Sequence, residues 1–207
     1  MSETSDQFVA ALVKNAVNFN LDLDEEIISG LRTYFETLQS WNPRLHLVAP
    51  CPPEEFAVRH VLESLLAIKY IHANAHVVDI GSGGGLPIIP CLMARGDIRA
   101  SLIESSPKKG VFLREALRST NSVARASVLT SRFEDTQLPD ADVITCRALE
   151  RFTTQLSRIV EWAPVKSTII LFGGPTLQPE LEKIGVAFLT RQIPMSNQRF
   201  VFVIERK

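Results

Sequence analysis

The sequence has 207 residues, of which 45% are hydrophobic and 22% are charged, and its formal net charge is −1. This length fits one domain with a modest extension, and the apolar content is enough to form a sizeable core. The balanced charge argues against a dedicated nucleic-acid-binding protein, although it is compatible with a local basic patch.

The cysteines and the N-terminus limit the cellular setting. The three cysteines lie far apart and form no C-x-x-C pair, so we expect neither a disulfide framework nor a metal site. Residues 1–7 lack the basic and then apolar pattern of a signal peptide, and no apolar run has the length of a membrane helix. We therefore predict a soluble, cytoplasmic protein without a membrane segment, and nothing in the sequence requires more than a monomer.

The N-terminal part of the chain has the apolar periodicity of helices. Residues spaced by three and four positions form one apolar face: Leu23, Ile27, Leu31, Tyr34, Phe35, Leu38 and Trp41. This spacing predicts a long amphipathic helix. We expect Asp22 to be its N-cap and Asn42-Pro43 to end it, and we expect another helix after Pro52-Pro53. Residues 1–72 are thus predicted to be an N-terminal helical extension.

From residue 76 onward, β-rich runs alternate with helical stretches. The predicted strands are 76–80, 100–104, 126–129, 142–146 and 167–172, and the predicted helices are 88–94, 109–119, 152–162 and 179–184. This alternation predicts a mostly parallel α/β sheet. The last two strand-like runs, 186–193 and 199–205, have no helix between them and predict an antiparallel end. The fold class is therefore α/β and Rossmann-like, with residues 73–207 as the ligand-binding domain.

A glycine-rich loop follows the first predicted strand. It has the sequence D-I-G-S-G-G-G-L from Asp79 onward, and its glycines allow a ligand to approach the backbone closely. The dinucleotide pattern G-x-G-x-x-G fails, because its last glycine position holds Leu86 or Ile88. The pattern D-x-G-x-G-x-G is typical of S-adenosylmethionine enzymes, in which Asp79 would lie near the methionine amine. We expect six residues of this segment at the cofactor: Asp79, Gly81, Ser82, Gly83, Gly85 and Leu86.

Acidic and apolar residues at the ends of the next two strands support this interpretation. Glu104 ends the second strand, where a carboxylate can accept hydrogen bonds from ribose hydroxyls, and Ser105 follows it. Phe133 and Glu134 follow the third strand and suit an adenine ring and its amino group. All of these residues lie where α/β sheets bind ligands, at the carboxyl ends of strands.

Several segments make the chain similar to one known family. Residues 41–47 resemble its pattern W-N-x-x-x-N-L, residues 59–65 resemble R-H-x-x-D-S-L, and residues 79–90 are close to D-x-G-[ST]-G-x-G-[FL]-P-G-[IL]-P. Residues 108–113 follow K-[RK]-x-x-F-L, Cys146-Arg147-Ala148 matches S-R-A, and Arg199 matches the arginine that opens the last strand. From about Leu38 to the C-terminus, the sequence resembles the bacterial small-subunit rRNA guanine-N7 methyltransferases, the glucose-inhibited division protein B family.

The resemblance implies a class I methyltransferase fold, S-adenosylmethionine as the cofactor, and 16S rRNA or the small ribosomal subunit as the substrate. It implies cofactor contacts at Gly81, Leu86, Phe133, Glu134 and Arg147. We predict that Arg147 orients the target base, and no general base is expected, because guanine N7 already carries a nucleophilic lone pair and catalysis would rest on proximity and orientation. The residues predicted to hold RNA are Arg59, His60, Lys108, Lys109 and Arg199.

Some positions depart from the family pattern. Phe172 stands where the family usually has a lysine, and milder replacements occur at His46, Glu63, Ile88 and Glu104. Two other hypotheses therefore remain open. One is a methyltransferase of the same fold that acts on a small molecule or a protein. The other is a non-catalytic ribosome-assembly module, against which the intact glycine loop argues.

Overall fold

A computed structural model describes residues 3–138, 140–147 and 152–206, and in residues 152–154 it describes the backbone alone. Its described part contains one sheet with the strand order β3-β2-β1-β4-β5-β7-β6. The strands are β1 (His76–Ile80), β2 (Arg99–Ile103), β3 (Ala126–Leu129), β4 (Val143–Arg147), β5 (Thr168–Gly173), β6 (Phe188–Gln192) and β7 (Phe200–Glu205). The first five strands pair in parallel, whereas β7 runs antiparallel to β5 and to β6. The predicted fold class is confirmed, and the strand bounds differ from the predicted ones by two residues at most.

Helices surround this sheet. They are α1 (Glu3–Ala16), α2 (Glu25–Leu45), α3 (Pro53–Glu55), α4 (Glu63–Leu65), α5 (Ile88–Ala94), α6 (Pro107–Ser119), α7 (Phe152–Trp162) and α8 (Leu177–Ile184). A π-helical stretch, Phe56–Leu62, joins α3 to α4, and a 3-10 stretch, Leu66–Tyr70, follows α4. We call the continuous segment 53–70 the composite helix. None of the described helices combines the length and the apolar character needed to cross a membrane.

The two ends of α2 differ from the prediction. Its N-cap is Asp24 rather than Asp22, because the Asp24 carboxylate accepts a hydrogen bond from the backbone N–H of Ile27 at 2.8 Å. The helix also continues through Pro43 to Leu45. The helix ends at His46, whose φ of 49° is left-handed, and the Asn42 side chain holds the following turn by accepting a hydrogen bond from the Val48 N–H at 3.0 Å. A proline in the last turn therefore does not end this helix.

Each face of the sheet is covered by a separate hydrophobic cluster. Val77 packs with the N-terminal helices on one face, and its neighbour Val78 packs with α7 and α8 on the other. The alternation follows from the strand period of two, which directs successive side chains to opposite faces. On the first face, Phe8 of α1 stacks on Phe35 of α2 at a centroid distance of 4.3 Å. The N-terminal helices thus share a core with the sheet, and the division at residue 72 stays a prediction.

The topology determines where a ligand can bind. β1 lies between β2 and β4. The chain that leaves β1 continues to β2 on one side, whereas the chain that leaves β4 continues to β5 on the opposite side. Beyond the carboxyl ends of such neighbouring strands a crevice opens, and α/β sheets bind their ligands there. The glycine loop and Arg147 both lie at this point.

Candidate active site

The glycine loop, residues 81–86, leaves β1 in a conformation that favours glycine. Gly81, Gly83 and Gly85 have φ angles of 67°, 52° and 82°, which residues with a Cβ atom rarely adopt. The loop is anchored to the neighbouring strand, because the N–H groups of Gly81 and Ser82 donate to the Ile103 carbonyl at 2.9 and 3.1 Å. The sequence pattern therefore encodes a fixed backbone shape at the end of β1.

Glu104 connects this loop to the next helix. One of its carboxylate oxygens accepts a hydrogen bond from the Gly83 N–H at 2.9 Å, and the other accepts one from the Ser106 N–H at 2.8 Å. Ser106 is the N-cap of α6. A carboxylate has about four acceptor positions, so Glu104 keeps acceptor capacity for ligand hydroxyls while it holds the loop in place.

Asp79 lies beneath the loop and is fully buried. The Thr145 hydroxyl donates to one of its oxygens at 2.6 Å, and the other oxygen has no hydrogen-bond partner within the described residues. Burial raises the pKa of Asp79 to about 7, although the hydrogen bond from Thr145 acts in the opposite direction. An unpartnered buried carboxylate oxygen is costly, and a nearby positive charge such as a ligand amine would offset this cost. Its side chain does not line the neighbouring cavity.

Tyr34 of α2 also holds the loop, and the sequence did not indicate this role. Its hydroxyl donates a hydrogen bond to the Gly84 carbonyl at 2.5 Å, and the side chain is fully buried. The apolar periodicity identified Tyr34 only as a core residue. The hydroxyl itself could have indicated a polar contact, since a buried tyrosine hydroxyl usually has a hydrogen-bond partner.

The loop forms the wall of a cavity of about 490 Å³, which we call the loop cavity. Nine predicted site residues line it: Gly81, Ser82, Gly83, Leu86, Glu104, Ser105, Arg147, His60 and Lys109. Leu47, Val48 and Ala49 also line it, and the sequence did not identify them, because they follow α2 far from the loop in the chain. Gly85 does not line the cavity, and its position is packed against Ile89.

A second cavity of about 400 Å³ shares Gly81 and Ser105 with the loop cavity and contains Phe133 and Glu134. Phe133 packs edge-on against Trp162 at a centroid distance of 5.8 Å. Glu134 forms an ion pair with Arg158 at 2.8 Å, a contact that the sequence did not reveal. The predicted cofactor residues thus surround two adjoining spaces at the ends of β1, β2 and β3.

Next to the loop cavity, and in contact with it through Arg147, lies a group of charged residues that we call the arginine cluster: Arg59, Glu63, Arg147 and Arg199. Glu63 is almost fully buried, and its two oxygens contact Arg199 at 2.7 Å and Arg147 at 3.4 Å. Burial raises the pKa of the Glu63 carboxyl, and the charges of Arg147 and Arg199 oppose this change. With three guanidinium groups and one carboxylate, the cluster carries an excess of positive charge.

Arg147 also binds the composite helix directly. Its guanidinium donates to the Ser64 hydroxyl at 2.9 Å and to the Arg59 carbonyl at 2.5 Å, and it lies 5.7 Å from the ring centroid of Phe172. Its side chain remains 14% exposed. Arg147 therefore connects β4 to the composite helix and lines the loop cavity. Ala148, which completes the predicted motif, lies outside the described residues.

The other residues predicted to hold RNA are placed differently from one another. Burial and the nearby arginines, Arg147 above all, lower the pKa of His60 to about 3, so its ring is neutral at neutral pH. Lys108 is exposed and Lys109 half-buried, and both lie in the first turn of α6. A cation is unfavourable at the positive end of a helix, and this placement increases the positive potential beside the loop cavity. Arg59 is exposed and forms an ion pair with Glu55.

The described residues contain no group of three or more His, Cys, Asp or Glu side chains arranged to hold a metal ion. The ligand groups at the ends of β1 to β4 are glycine backbone, carboxylates, an aromatic ring and guanidinium groups. This set can bind an organic cofactor with hydroxyl and amine groups on one side, and a polyanion on the other.

Comparison with solved structures defines the class of the fold. A putative S-adenosylmethionine-dependent methyltransferase from Methanococcus maripaludis superposes with a TM-score of 0.59 at 14% identity, covering 86% of this chain and 93% of that chain. The M1A22 tRNA methyltransferase TrmK of B. subtilis superposes with a TM-score of 0.56 at 18% identity, covering 70% of this chain and 65% of that one. The fold is that of the Rossmann-like methyltransferases.

Sequence comparison then gives the family. The family model GidB, rRNA small subunit methyltransferase G, matches residues 27–201. A ribosomal RNA small subunit methyltransferase G from Paracoccus denitrificans is 33% identical over 154 residues, which are 74% of this chain and 79% of that protein. One from Gluconobacter oxydans is 38% identical over 141 residues, or 68% and 69% of the two chains. The chain belongs to the GidB family of small-subunit rRNA methyltransferases.

Proposed function

We propose that this protein transfers the methyl group of S-adenosylmethionine to N7 of a guanine in 16S rRNA. The observation that carries the proposal is the arrangement of the site in this family member. The loop cavity, with glycine backbone and carboxylates, adjoins an arginine cluster that suits a polyanion. Arg147 and His60 line the loop cavity and also the neighbouring space that the arginine cluster lines.

The residues present fit the cofactor. Glu104, which lines the loop cavity, can accept hydrogen bonds from the ribose hydroxyls. Asp79 is buried beneath the loop and does not line the cavity, so its proposed role is to attract the methionine amine through its charge rather than by direct contact. Phe133 and Glu134 suit the adenine ring and its amino group. Gly83 leaves open space above the loop, since an added Cβ would meet only the Gly81 carbonyl, at 3.7 Å. Gly81, Ser82, Gly85, Leu86 and Ser105 complete the proposed cofactor site.

The proposed chemistry requires orientation rather than proton transfer. When bound, S-adenosylmethionine supplies a methyl group on a positively charged sulfur. Attack of the guanine N7 lone pair on that methyl carbon would break the carbon–sulfur bond and release the sulfur as a neutral thioether, so no residue of the chain would have to remove a proton. Arg147 orients the base, and its position is fixed by Ser64 and Glu63. Holding two reactants in line contributes several kcal/mol to catalysis, about 7–11 in favourable cases.

RNA binding is assigned to the positive residues around the loop cavity and in the arginine cluster. We propose phosphate contacts for Arg59, Lys108, Lys109 and Arg199, which lie on three separate elements, and a neutral hydrogen-bonding contact for His60. The proposed setting is the cytoplasm, where 16S rRNA is modified, with the protein acting as a monomer and without a metal ion.

The test is methyl transfer from labelled S-adenosylmethionine to small ribosomal subunits, and separately to free 16S rRNA, from a strain that lacks the guanine methylation. We expect the label at N7 of one guanine. A protein that binds the cofactor in calorimetry yet labels neither substrate would contradict the proposal. The comparison between subunits and free RNA also identifies the form of the substrate.

One observation favours a second candidate, a methyltransferase of the same fold with a different substrate. Phe172 stands where the family usually has a lysine, and the side chain is buried against Arg147. RNA binding through phosphates weakens steeply with salt, with a slope set by the number of phosphates contacted. A substrate affinity that does not change between low and high salt would favour the second candidate.

A further inference from the structure

The segment between α2 and the composite helix, residues 46–52, has no regular secondary structure, and we call it the connecting segment. It forms part of the loop cavity, because Leu47, Val48 and Ala49 line that space together with the glycine loop. Leu47 also lies close to the loop itself, since a Cβ added to Gly84 would meet the Leu47 Cβ at 3.6 Å and the Leu47 carbonyl oxygen at 3.7 Å. The connecting segment therefore packs on the loop that is proposed to bind the cofactor.

A further cavity, of about 360 Å³, borders the same segment, and we call it the outer cavity. Val48 and Ala49 line the outer cavity as well as the loop cavity, and Pro50 and Cys51 extend its lining. The remaining lining residues are His46 and residues near the C-terminal end of α2. The connecting segment thus borders open space in addition to the loop cavity, and it has room to shift its position.

One side chain holds the middle of the connecting segment in place. The Asn42 amide nitrogen donates to the Val48 carbonyl at 3.1 Å, and the Asn42 amide oxygen accepts from the Val48 N–H at 3.0 Å. Within the part of the chain that the structure describes, residues 47–51 form their hydrogen bonds with Asn42. Pro50 and Pro52 have no N–H group to contribute. The attachment of the segment therefore depends largely on the side chain of Asn42.

The two ends of the connecting segment are more restricted than its middle. His46 has a left-handed φ of 49°, which few residues with a Cβ atom adopt, and Pro52-Pro53 begins the composite helix. A segment with few backbone hydrogen bonds opens locally at a lower cost in free energy than a helix or a central strand. Segments of this kind cover the ligands of many enzymes, exclude water from them and control product release. The connecting segment has the structure of such a lid.

We propose that the connecting segment is a lid over the bound cofactor and that Asn42 is the positioning residue that holds it closed. The inference rests on the cofactor part of the proposed function and concerns the exchange of the cofactor. Leu47 and Val48 give the loop cavity an apolar wall, which excludes water from the cofactor while the lid is closed. Asn42 acts through Val48, and loss of its two hydrogen bonds frees the segment to move and opens the cofactor site.

The first test compares Asn42→Ala with the control Ser40→Ala. Ser40 lies on the same helix, and its hydroxyl donates to the Thr37 carbonyl within that helix, so the control leaves the connecting segment unchanged. Labelled S-adenosylmethionine is chased with an excess of unlabelled cofactor, and rapid filtration gives the dissociation rate constant. Each hydrogen bond changes an equilibrium by roughly a factor of 2–10, so we expect Asn42→Ala to raise this rate constant about tenfold. The control is expected to stay within about twofold of the wild type.

A second measurement uses the wild-type protein and does not depend on any variant folding. Hydrogen exchange of the backbone amides in residues 46–52 is followed by mass spectrometry, with and without saturating S-adenosylmethionine. A ligand that binds only under the closed lid suppresses opening by mass action, so we expect exchange in this segment to slow at least about tenfold. The edge strand β6 lies outside the loop cavity and serves as the internal control, where exchange is expected to stay the same.

The outcomes distinguish this inference from the proposed function. A wild-type dissociation rate constant in Asn42→Ala overturns the inference even if the protein methylates RNA. So does exchange in residues 46–52 that is the same with and without the cofactor, and this result decides the matter if Asn42→Ala does not fold. Equal acceleration in Asn42→Ala and Ser40→Ala also overturns it, because the change would then lie in α2 as a whole. If the cofactor measurements agree with the expectation but no RNA is methylated, the proposed function fails and the lid stands.

Discussion

The glycine loop lines the loop cavity, which the arginine cluster reaches only through Arg147, and the two groups are held in place by different interactions. The backbone of the loop donates hydrogen bonds to the Ile103 carbonyl of the neighbouring strand and to Glu104, and it accepts one from the Tyr34 hydroxyl. The cluster is fixed by ion pairs and hydrogen bonds of side chains from the composite helix, from β4 and from Arg199, which directly precedes β7. The glycine loop, the proposed cofactor side, is therefore held through its backbone, whereas the arginine cluster, the proposed substrate side, is held through a few side chains.

The largest expected effect is that of removing the shared carboxylate of the arginine cluster. Glu63→Ala leaves Arg147 and Arg199 facing each other without a counter-charge. Breaking a buried ion pair costs about 3–5 kcal/mol, and we expect about 3 kcal/mol in the free energy of unfolding, because Arg199 keeps contact with solvent. Denaturant unfolding measures this loss. In the control Glu55→Ala, which breaks the exposed pair with Arg59, we expect less than about 1 kcal/mol. Equal losses in the two variants would show that Glu63 does not hold the cluster.

A second prediction concerns the backbone of the loop. In Gly85→Ala, the new Cβ would overlap the Ile89 side chain at a φ of +82°. Strain of this kind costs about 1–3 kcal/mol, and we expect cofactor affinity to fall roughly a hundredfold in calorimetry, near the upper end of that range. Gly185→Ala is the matched control, since its φ is +76° but no heavy atom lies within 4 Å of the added Cβ. Unchanged cofactor affinity in Gly85→Ala would mean that the loop does not bind the cofactor.

A third prediction concerns the contact between α2 and the loop. Tyr34→Phe removes the donor to the Gly84 carbonyl and leaves a buried acceptor unsatisfied, which costs about 1–3 kcal/mol. We expect roughly a tenfold loss of cofactor affinity with little change in the KM for RNA. Tyr70→Phe, at the end of the composite helix, is the control. If both variants bind the cofactor like the wild type, the contact from α2 does not support the loop.

The smallest effect is a pH dependence of stability from His60. The pKa of this residue is about 3 in the folded protein, against its usual value of 6.5, so the unfolded chain binds the additional proton between these values. The stability contribution of neutral His60 is therefore fully present above about pH 6.5 and is lost as the pH falls. We expect a loss of roughly 1 kcal/mol per pH unit just below this value. In His60→Gln the decline measured by thermal unfolding should be shallower. An identical decline in the two proteins would contradict a buried, neutral His60.

The difference between the glycine loop and the arginine cluster also explains which parts of the site could be predicted from the sequence. The loop and Glu104 belong to contiguous motifs at strand ends, where backbone geometry restricts the residue type, so their positions were predicted correctly. The pairing of Glu63 with Arg199 joins residues that are 136 positions apart, and no local pattern encodes it. Sequence analysis identified both residues but not their contact.

The fold was predictable for a similar reason. Strand and helix periods are local properties, and all seven strands of the described sheet were expected near their observed positions. The errors arose where one side chain decided the outcome. Asp24 rather than Asp22 caps α2, because its carboxylate is the one that reaches the Ile27 N–H. The helix passes Pro43 and ends at the left-handed residue His46. The role of Tyr34 was missed because its partner lies 50 residues away in the chain.

The claim that the two sides of the site have separate roles is tested most directly by one crossed binding experiment. The affinities for S-adenosylmethionine and for small ribosomal subunits are measured for Glu104→Gln and Arg199→Gln at a single salt concentration. We predict that Glu104→Gln weakens cofactor binding at least about tenfold and leaves subunit binding intact, whereas Arg199→Gln does the reverse. Loss of both affinities in either variant, in a protein that remains folded, would contradict this account.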